Sequence, residues 1–305
     1  MKCCLALLSF VIVALLVISA SAQNPAQIPS TPPARNPADT PTQLPAESSK
    51  PALPVRVGPP PANATAAELE KQADQFRSDK SYADALDYYR AAMKKAPSAA
   101  LWNKMGITQL QLGRHKEAEK SFERSIKLDP KFPEAYNNLG AVFYITGAQQ
   151  QIHAERAHKS IPGGALKNYR KAVKQYLKAL ELHEDAASFH SNLGTAYFAL
   201  KDFPAAVNEY ARALQLDPDV LERRSQSGVT AHMSSPEDRA HYSFVLARMY
   251  AQAGNLDRAL LYLRKAIEDG YKDIDAVYQD QEFATLRKDP RFTELMNSKP
   301  QAIPQ

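Results

Sequence analysis

The sequence predicts an all-α protein: a right-handed solenoid of about five helix–turn–helix units with C-terminal capping helices. Three observations carry that prediction. Between Ala187 and Pro218, small and aromatic residues fall in a fixed order: Leu193-Gly194, Tyr197, Ala206, Tyr210, Ala213, then Pro218. The order returns at a step of 33 residues, from Ala85 to Ala118 and from Pro97 to Pro130. The prolines are uneven: 12 of the 22 lie between Pro25 and Pro61, which sets a tract without core-forming residues apart from the repeats.

Each unit reads as two short helices folded back on each other. Gly194 and Ala206 are small where the helices touch, the aromatics wedge the gap, and Pro218 stops the second helix. One such hairpin cannot cover its own apolar face, so it requires neighbours. The segment resembles a tetratricopeptide repeat, a unit of about 34 residues. The resemblance runs from Ala66 to about Met296, most of the chain.

At the start, Met1-Lys2, an apolar run from Leu5 to Ile18 and the ending Ala20-Ser21-Ala22 read as an export signal over residues 1–22. Cleavage before Gln23 makes the protein periplasmic or secreted. An uncleaved anchor is the alternative, although Cys3 to Ala20 is barely long enough to span a bilayer. Removal of the signal takes both cysteines with it, leaving no disulfide, thiol nucleophile or Cys-based metal site. Residues 23–64 hold too little apolar material to offset ordering entropy and read as an extended Pro-rich linker. Asn63-Ala64-Thr65 matches a glycosylation acceptor, but Thr65-Ala66-Ala67-Glu68 is a capping box that starts the first helix.

Four units occupy residues 65–218. Leu69, Ala73 and Phe76 face Ala85, Tyr89 and Ala92 in the first; Trp102 and Met105-Gly106 face Ala118, Phe122 and Ser125 in the second. The third opens with Tyr136, Leu139-Gly140 and Phe143, is expected to turn at Gly147, and resumes at Tyr169, Ala172, Tyr176 and Ala179. About 20 extra residues, 148–167, therefore sit in its turn and read as a solvated loop helix. Residues 219–239 lose the register and form a linker, in which Ser235-Pro236-Glu237-Asp238 restarts a helix. The fifth unit, 240–271, carries Leu246-Ala247, Tyr250, Gly254, Ala259, Leu263 and Ala266. Two short helical starts, at Asp280 and Asp289-Pro290, form a cap over 272–296 that seals the last repeat face, with a tail at 297–305.

The resemblance implies a concave groove lined by the first helix of each unit, where family members hold peptides. Its positions here are Asn103, Asn137, Asn138, Tyr144, Ser191, Asn192, Thr195, Phe198 and Arg248. Asn138 and Asn192 both precede Leu-Gly. A carboxamide donates and accepts, so a ladder of them suits an extended peptide backbone; bonding to the neighbouring helix is the other reading. The partner is then a protein or peptide, and replacing both asparagines weakens its capture without changing the melting temperature. Glu70, Asp74, Ser191 and Thr195 stand where some members carry a cationic clamp for a C-terminal carboxylate, which disfavours that type of receptor.

A second surface is cationic. Arg156, Lys159, Lys167, Arg170, Lys171, Lys174 and Lys178 repeat at helical spacing and suit an acidic protein or an anionic envelope component; a solvated face explains the same spacing. A net charge of +5 does not require nucleic acid, and no aromatic interleaving suggests base stacking. His153 and His158 are five apart and do not share a helix face as a metal pair does. Ile161-Pro162-Gly163-Gly164 lacks a phosphate-loop Lys-Ser/Thr. With no nucleophile elbow or paired-carboxylate signature, the sequence points to no cofactor, no metal, no small-molecule substrate and no enzyme.

Overall fold

The computed structural model describes residues 57–221 and 236–298. The proposed export signal, residues 23–56 of the linker, both cysteines, Ser235 and the tail beyond Ser298 lie outside them. Ten helices pair in sequence order: α1 (Ala66–Ser78) with α2 (Tyr82–Lys95), α3 (Ala99–Gln111) with α4 (His115–Leu128), and α5 (Pro133–Arg156) with α6 (Gly163–Leu182). Next come α7 (Ala187–Ala199) with α8 (Phe203–Leu216) and α9 (Pro236–Gln252) with α10 (Leu256–Glu268). Three 3-10 turns, Ile274–Tyr278, Gln281–Phe283 and Leu286–Lys288, lead to α11 (Pro290–Ser298). No strand occurs among the described residues.

Local chemistry sets the ends of these helices. Thr65 Oγ1 accepts from Glu68 N at 3.2 Å while Glu68 Oε2 accepts from Thr65 N at 2.8 Å, the reciprocal pair that starts α1. Each hairpin turns on one left-handed residue: Lys80 (φ 61), Gly113 (φ 72), His158 (φ 51), Lys201 (φ 64) and Gly254 (φ 76). That conformation lets the next amides bond back to the last helical carbonyls, as Ser81 N does to Phe76 O at 2.8 Å.

Inside each hairpin a small residue admits a ring. A Cβ on Gly106 would lie 2.5 Å from Phe122, on Gly140 2.7 Å from Tyr176 and on Gly194 2.8 Å from Tyr210. The two helices approach closely only because the side chain is missing, and the ring fills the space beside it.

The third hairpin corrects an expectation. Gly147 is not a turn: it is buried in the middle of α5, and a Cβ there would lie 2.9 Å from Tyr169. It repeats the Gly140–Tyr176 contact two helical turns further on, so the same packing continues outward. Residues 148–167 are therefore not a solvated loop. They lengthen α5 to 24 residues and α6 to 20, against 13 and 14 in α3 and α4, and move the turn to residues 157–162. Ala148, Gln151, Ala154 and Ala165 are buried between the extended helices.

The fifth hairpin stacks end for end relative to the fourth. Lys201, in the turn joining α7 to α8, pairs with Asp238 in the first turn of α9. At the other end of α8, Pro218 O and Asp219 accept from Arg258 at the start of α10. Hence α9 runs parallel to α8, and the α9–α10 turn lies beside the end of α8. The short links 129–132 and 183–186 return the chain at once and make successive helices antiparallel. Between the end of α8 at Leu216 and the start of α9 at Pro236 no such short link holds the two helices antiparallel. The cap then seals this hairpin: Val277, Phe283, Leu286, Phe292, Leu295 and Met296 are buried against α9 and α10.

Candidate functional site

The expected groove asparagines do come together, but they bond to one another. Asn138 Nδ2 donates to Asn103 Oδ1 at 2.9 Å, Asn192 Nδ2 to Asn137 Oδ1 at 2.9 Å, and Asn137 Nδ2 to Asn138 Oδ1 at 3.3 Å. All four are at most 5 % exposed. The residue before Leu-Gly, or before Met-Gly in the second unit, thus reaches back to the preceding first helix each time. Lys104 holds this place in the second unit and reaches Glu70 at 2.7 Å and Asp74 at 2.6 Å. In the fifth unit the place falls to Val245, which is buried and cannot form the rung. The series ends where the hairpin reverses.

Other groove positions are also spent in the core. Thr195 donates to Ser191 O at 2.9 Å and accepts from the Tyr210 phenol at 3.2 Å. Tyr144 packs on Tyr169 with ring centres 5.4 Å apart, and Phe198 lies among Phe203, His241 and Tyr242. Burial pushes the Tyr144 phenol well above its ordinary pKa. Arg248 is not brought to these residues. It lies on the seam between α8 and α9, 3.7 Å from Asp280.

That seam holds a cleft of about 410 Å³. Phe203 and Val207 form one wall, His241 and Phe244 the other, with Tyr271 at one side and Arg248 beside it. Phe244 stacks on Tyr271 at 4.4 Å, and His241 lies 4.3 Å from Phe203 and 5.6 Å from Tyr271. Burial, and then the nearby Lys201 cation, lowers the His241 pKa below its ordinary value of 6.5. Burial raises the phenol of Tyr271. Beside Arg248, a hydrogen bond with Glu282 and then burial raise the Asp280 carboxyl, while Glu282 is lowered. The cleft thus joins aromatic walls to hydrogen-bond donors, Arg248, Tyr271 and Asn208 among them. Spacing alone missed it because its two walls meet only when α9 runs parallel to α8.

The expected basic residues share one side of the third hairpin. Lys167, Arg170, Lys171, Lys174 and Lys178 are exposed on α6, with Arg156 and Lys159 exposed at the tip. Lys178 pairs with Glu181 at 2.6 Å, and the Lys171 ammonium sits 4.8 Å over the Phe143 ring. Among the described residues no cluster of three or more His, Cys, Asp or Glu is placed to hold a metal ion, and no helix is long and apolar enough to cross a membrane.

Comparison with known proteins places the repeats. Residues 108–147 match a family described as TPR repeat, and residues 164–220 and 229–273 one described as Tetratricopeptide repeat. The chain is 30% identical over 132 residues to Photosystem I assembly protein Ycf3 of Rippkaea orientalis (strain PCC 8801 / RF-1), covering 40% of this chain and 71% of that protein. It is 28% identical over 89 residues to Small glutamine-rich tetratricopeptide repeat-containing protein 2 of Mycosarcoma maydis, covering 29% of this chain and only 25% of that protein. Among solved structures, a thermophilic TPR protein of Thermus thermophilus superposes with a TM-score of 0.46 at 21% identity, over 73% of this chain and 99% of that one.

Proposed function

This chain belongs to the tetratricopeptide repeat proteins, and from that premise we propose that it is a non-catalytic scaffold that holds an extended segment of a partner protein. Repeats of this kind generally mediate protein–protein interaction. The single observation that carries the finer reading is the cleft between α8 and α9. The alternative seat is the groove of the first helices. There Asn103, Asn137, Asn138 and Asn192 spend their carboxamides on one another and tie α3, α5 and α7 into register. An incoming peptide would have to break those bonds.

The cleft asks for no such exchange. Aromatic walls accept proline or aliphatic side chains, and Arg248, Asn208 and Tyr271 offer donors to backbone carbonyls. The export signal read in residues 1–22 makes the partner an envelope or secreted protein. The test is selection from a displayed peptide library with the full chain, followed by titration of the selected peptide. Arg248→Ala with Asn208→Ala is expected to weaken it at least tenfold with helicity unchanged. Equal binding by the variant, or loss on Lys104→Ala instead, would return the site to the first-helix groove.

A further inference from the structure

We propose that the outer face of α6 is a second docking surface, separate from the cleft, and that its occupant is an acidic protein segment. From Gly163 to Leu180 this helix holds no carboxylate. Every other second helix mixes its charges: Asp84 and Asp87 on α2, Glu117, Glu119 and Glu123 on α4, Glu209 on α8, Asp257 and Glu268 on α10. On α6 the cations at 167, 170, 171, 174 and 178 stand three and four residues apart, so they face one another directly. Like charges at that spacing destabilise a helix, and within α6 only Lys178 is relieved, by Glu181; a solvated face gains nothing from leaving the other four without such a neighbour. A counter-charge supplied from outside removes the repulsion.

The geometry names the kind of partner. Lys167, Arg170, Lys174 and Lys178 form a file about 16 Å long at 1.5 Å per residue. Lys167, Arg170 and Lys174 form no ion pair among the described residues, and Leu177 beside them is 42% exposed. The file is narrow. On the units either side the charges are mixed, exposed Glu123 standing among Lys120 and Arg124 on α4 and exposed Asp202 beside Lys201 at the start of α8, so the uninterrupted cationic face does not broaden into the wide sheet that a bilayer would engage. A single line of carboxylates with an apolar residue to cover Leu177 meets the file and avoids both. The extended hairpin carries this file outward to Lys159 and Arg156 at its tip.

The test titrates the full chain with fluorescent poly-L-glutamate at about 50 and about 200 mM salt, and with phosphatidylglycerol and phosphatidylcholine vesicles. One variant is Lys167→Gln with Arg170→Gln and Lys174→Gln. A control of equal charge change on α4 is Lys116→Gln with Lys120→Gln and Lys127→Gln. Poly-L-glutamate should bind about tenfold more weakly at the higher salt, because exposed charges are screened there. The α6 variant should lose at least tenfold while its melting temperature stays level or rises, and the α4 control should keep its binding. Equal loss in both variants would overturn the proposal, as would undetectable poly-L-glutamate binding or preferred capture of phosphatidylglycerol vesicles. Peptide binding at the α8–α9 cleft is read separately with the same variants, so either surface can fail without the other.

Discussion

The Tyr210 phenol donates to Thr195 Oγ1 at 3.2 Å inside the fourth hairpin, and the same register decides the fate of each ring along the solenoid. In the first unit Tyr89 donates to Asp74 at 2.5 Å; in the second Phe122 needs no acceptor, and Ile107 stands opposite. In the third the place falls to Ala141. The Tyr176 hydroxyl is buried there and finds no hydrogen-bond partner among the described residues. A buried hydroxyl left unpaired costs about 1–3 kcal/mol. Tyr176→Phe should therefore raise stability in denaturant titration, whereas Tyr210→Phe should lower it by about 1 kcal/mol. Equal destabilisation by both would mean that the Tyr176 hydroxyl has a partner.

Close helix approach separates two glycines in the same way. A Cβ on Gly194 would lie 2.8 Å from the Tyr210 ring and 3.2 Å from the carbonyl oxygen of Ala206, which cannot move aside cheaply. Overpacking of this kind costs about 1–3 kcal/mol, more than the roughly 1 kcal/mol alanine gains in a helix. Gly194→Ala should lower stability. At Gly163 nothing lies within 4 Å, so Gly163→Ala should leave stability level or raise it by about 0.5 kcal/mol. Thermal melts of the two variants settle the comparison.

The carboxamide rungs follow the second of the two readings open for Asn138 and Asn192, bonding to the neighbouring helix and not to a peptide. Their replacement by alanine leaves Asn103 and Asn137 buried without the donors they now accept from. The double variant should lose about 2–4 kcal/mol, with a matching fall in melting temperature. An unchanged melt would mean that the rungs carry no net stability and would reopen the groove as a peptide ladder.

Much of this was legible. The order Leu-Gly, Tyr, Ala, Tyr, Ala, Pro located the hairpins because each position meets its partner within one unit or the next, where spacing alone fixes geometry. The capping box at Thr65 and Glu68 was legible for the same reason. Gly147 was misread because the glycine of a left-handed turn and the glycine of a close helix contact are the same letter. Only Tyr169, seven residues before Tyr176, distinguishes them by repeating the packing. The reversal of α9 left two traces, the lost register at 219–239 and Val245 in place of a rung residue. Neither gives a direction without coordinates. The cleft depends on that direction, so the sequence placed Arg248 in the groove.

The pH response follows from His241. Burial holds its folded-state pKa below 6.5; Lys201 and Arg248 push the same way, and Asp238 and Asp273 oppose them. Between the folded pKa and 6.5 the unfolded chain binds more protons, so stability rises with pH there and is lost on acidification below 6.5. The site is half-buried, so solvent screening keeps the loss small. Denaturant midpoints at about pH 7.5 and about pH 5.5 should differ more in the native chain than in His241→Gln. A steeper dependence in the variant would contradict the assigned burial.

The extended third hairpin also braces the reversed fifth one. Gln151 accepts from the Tyr169 phenol at 2.7 Å and donates to Asp238 at 3.4 Å, joining α5 to the first turn of α9 across the turn of the fourth hairpin. Lys201 holds the same carboxylate. Gln151→Leu roughly keeps the volume and removes the brace together with its bond to the Tyr169 phenol. Hydrogen exchange in α9 and α10 should then quicken about fivefold or more, equivalent to about 1 kcal/mol of local opening, while α1 to α4 keep their protection. Excision of residues 148–167 should produce the same regional change, and more strongly. If both variants leave α9 protected, the extension serves only to carry the α6 face outward, and Lys201, Arg258 and the packing on α8 hold the last hairpin.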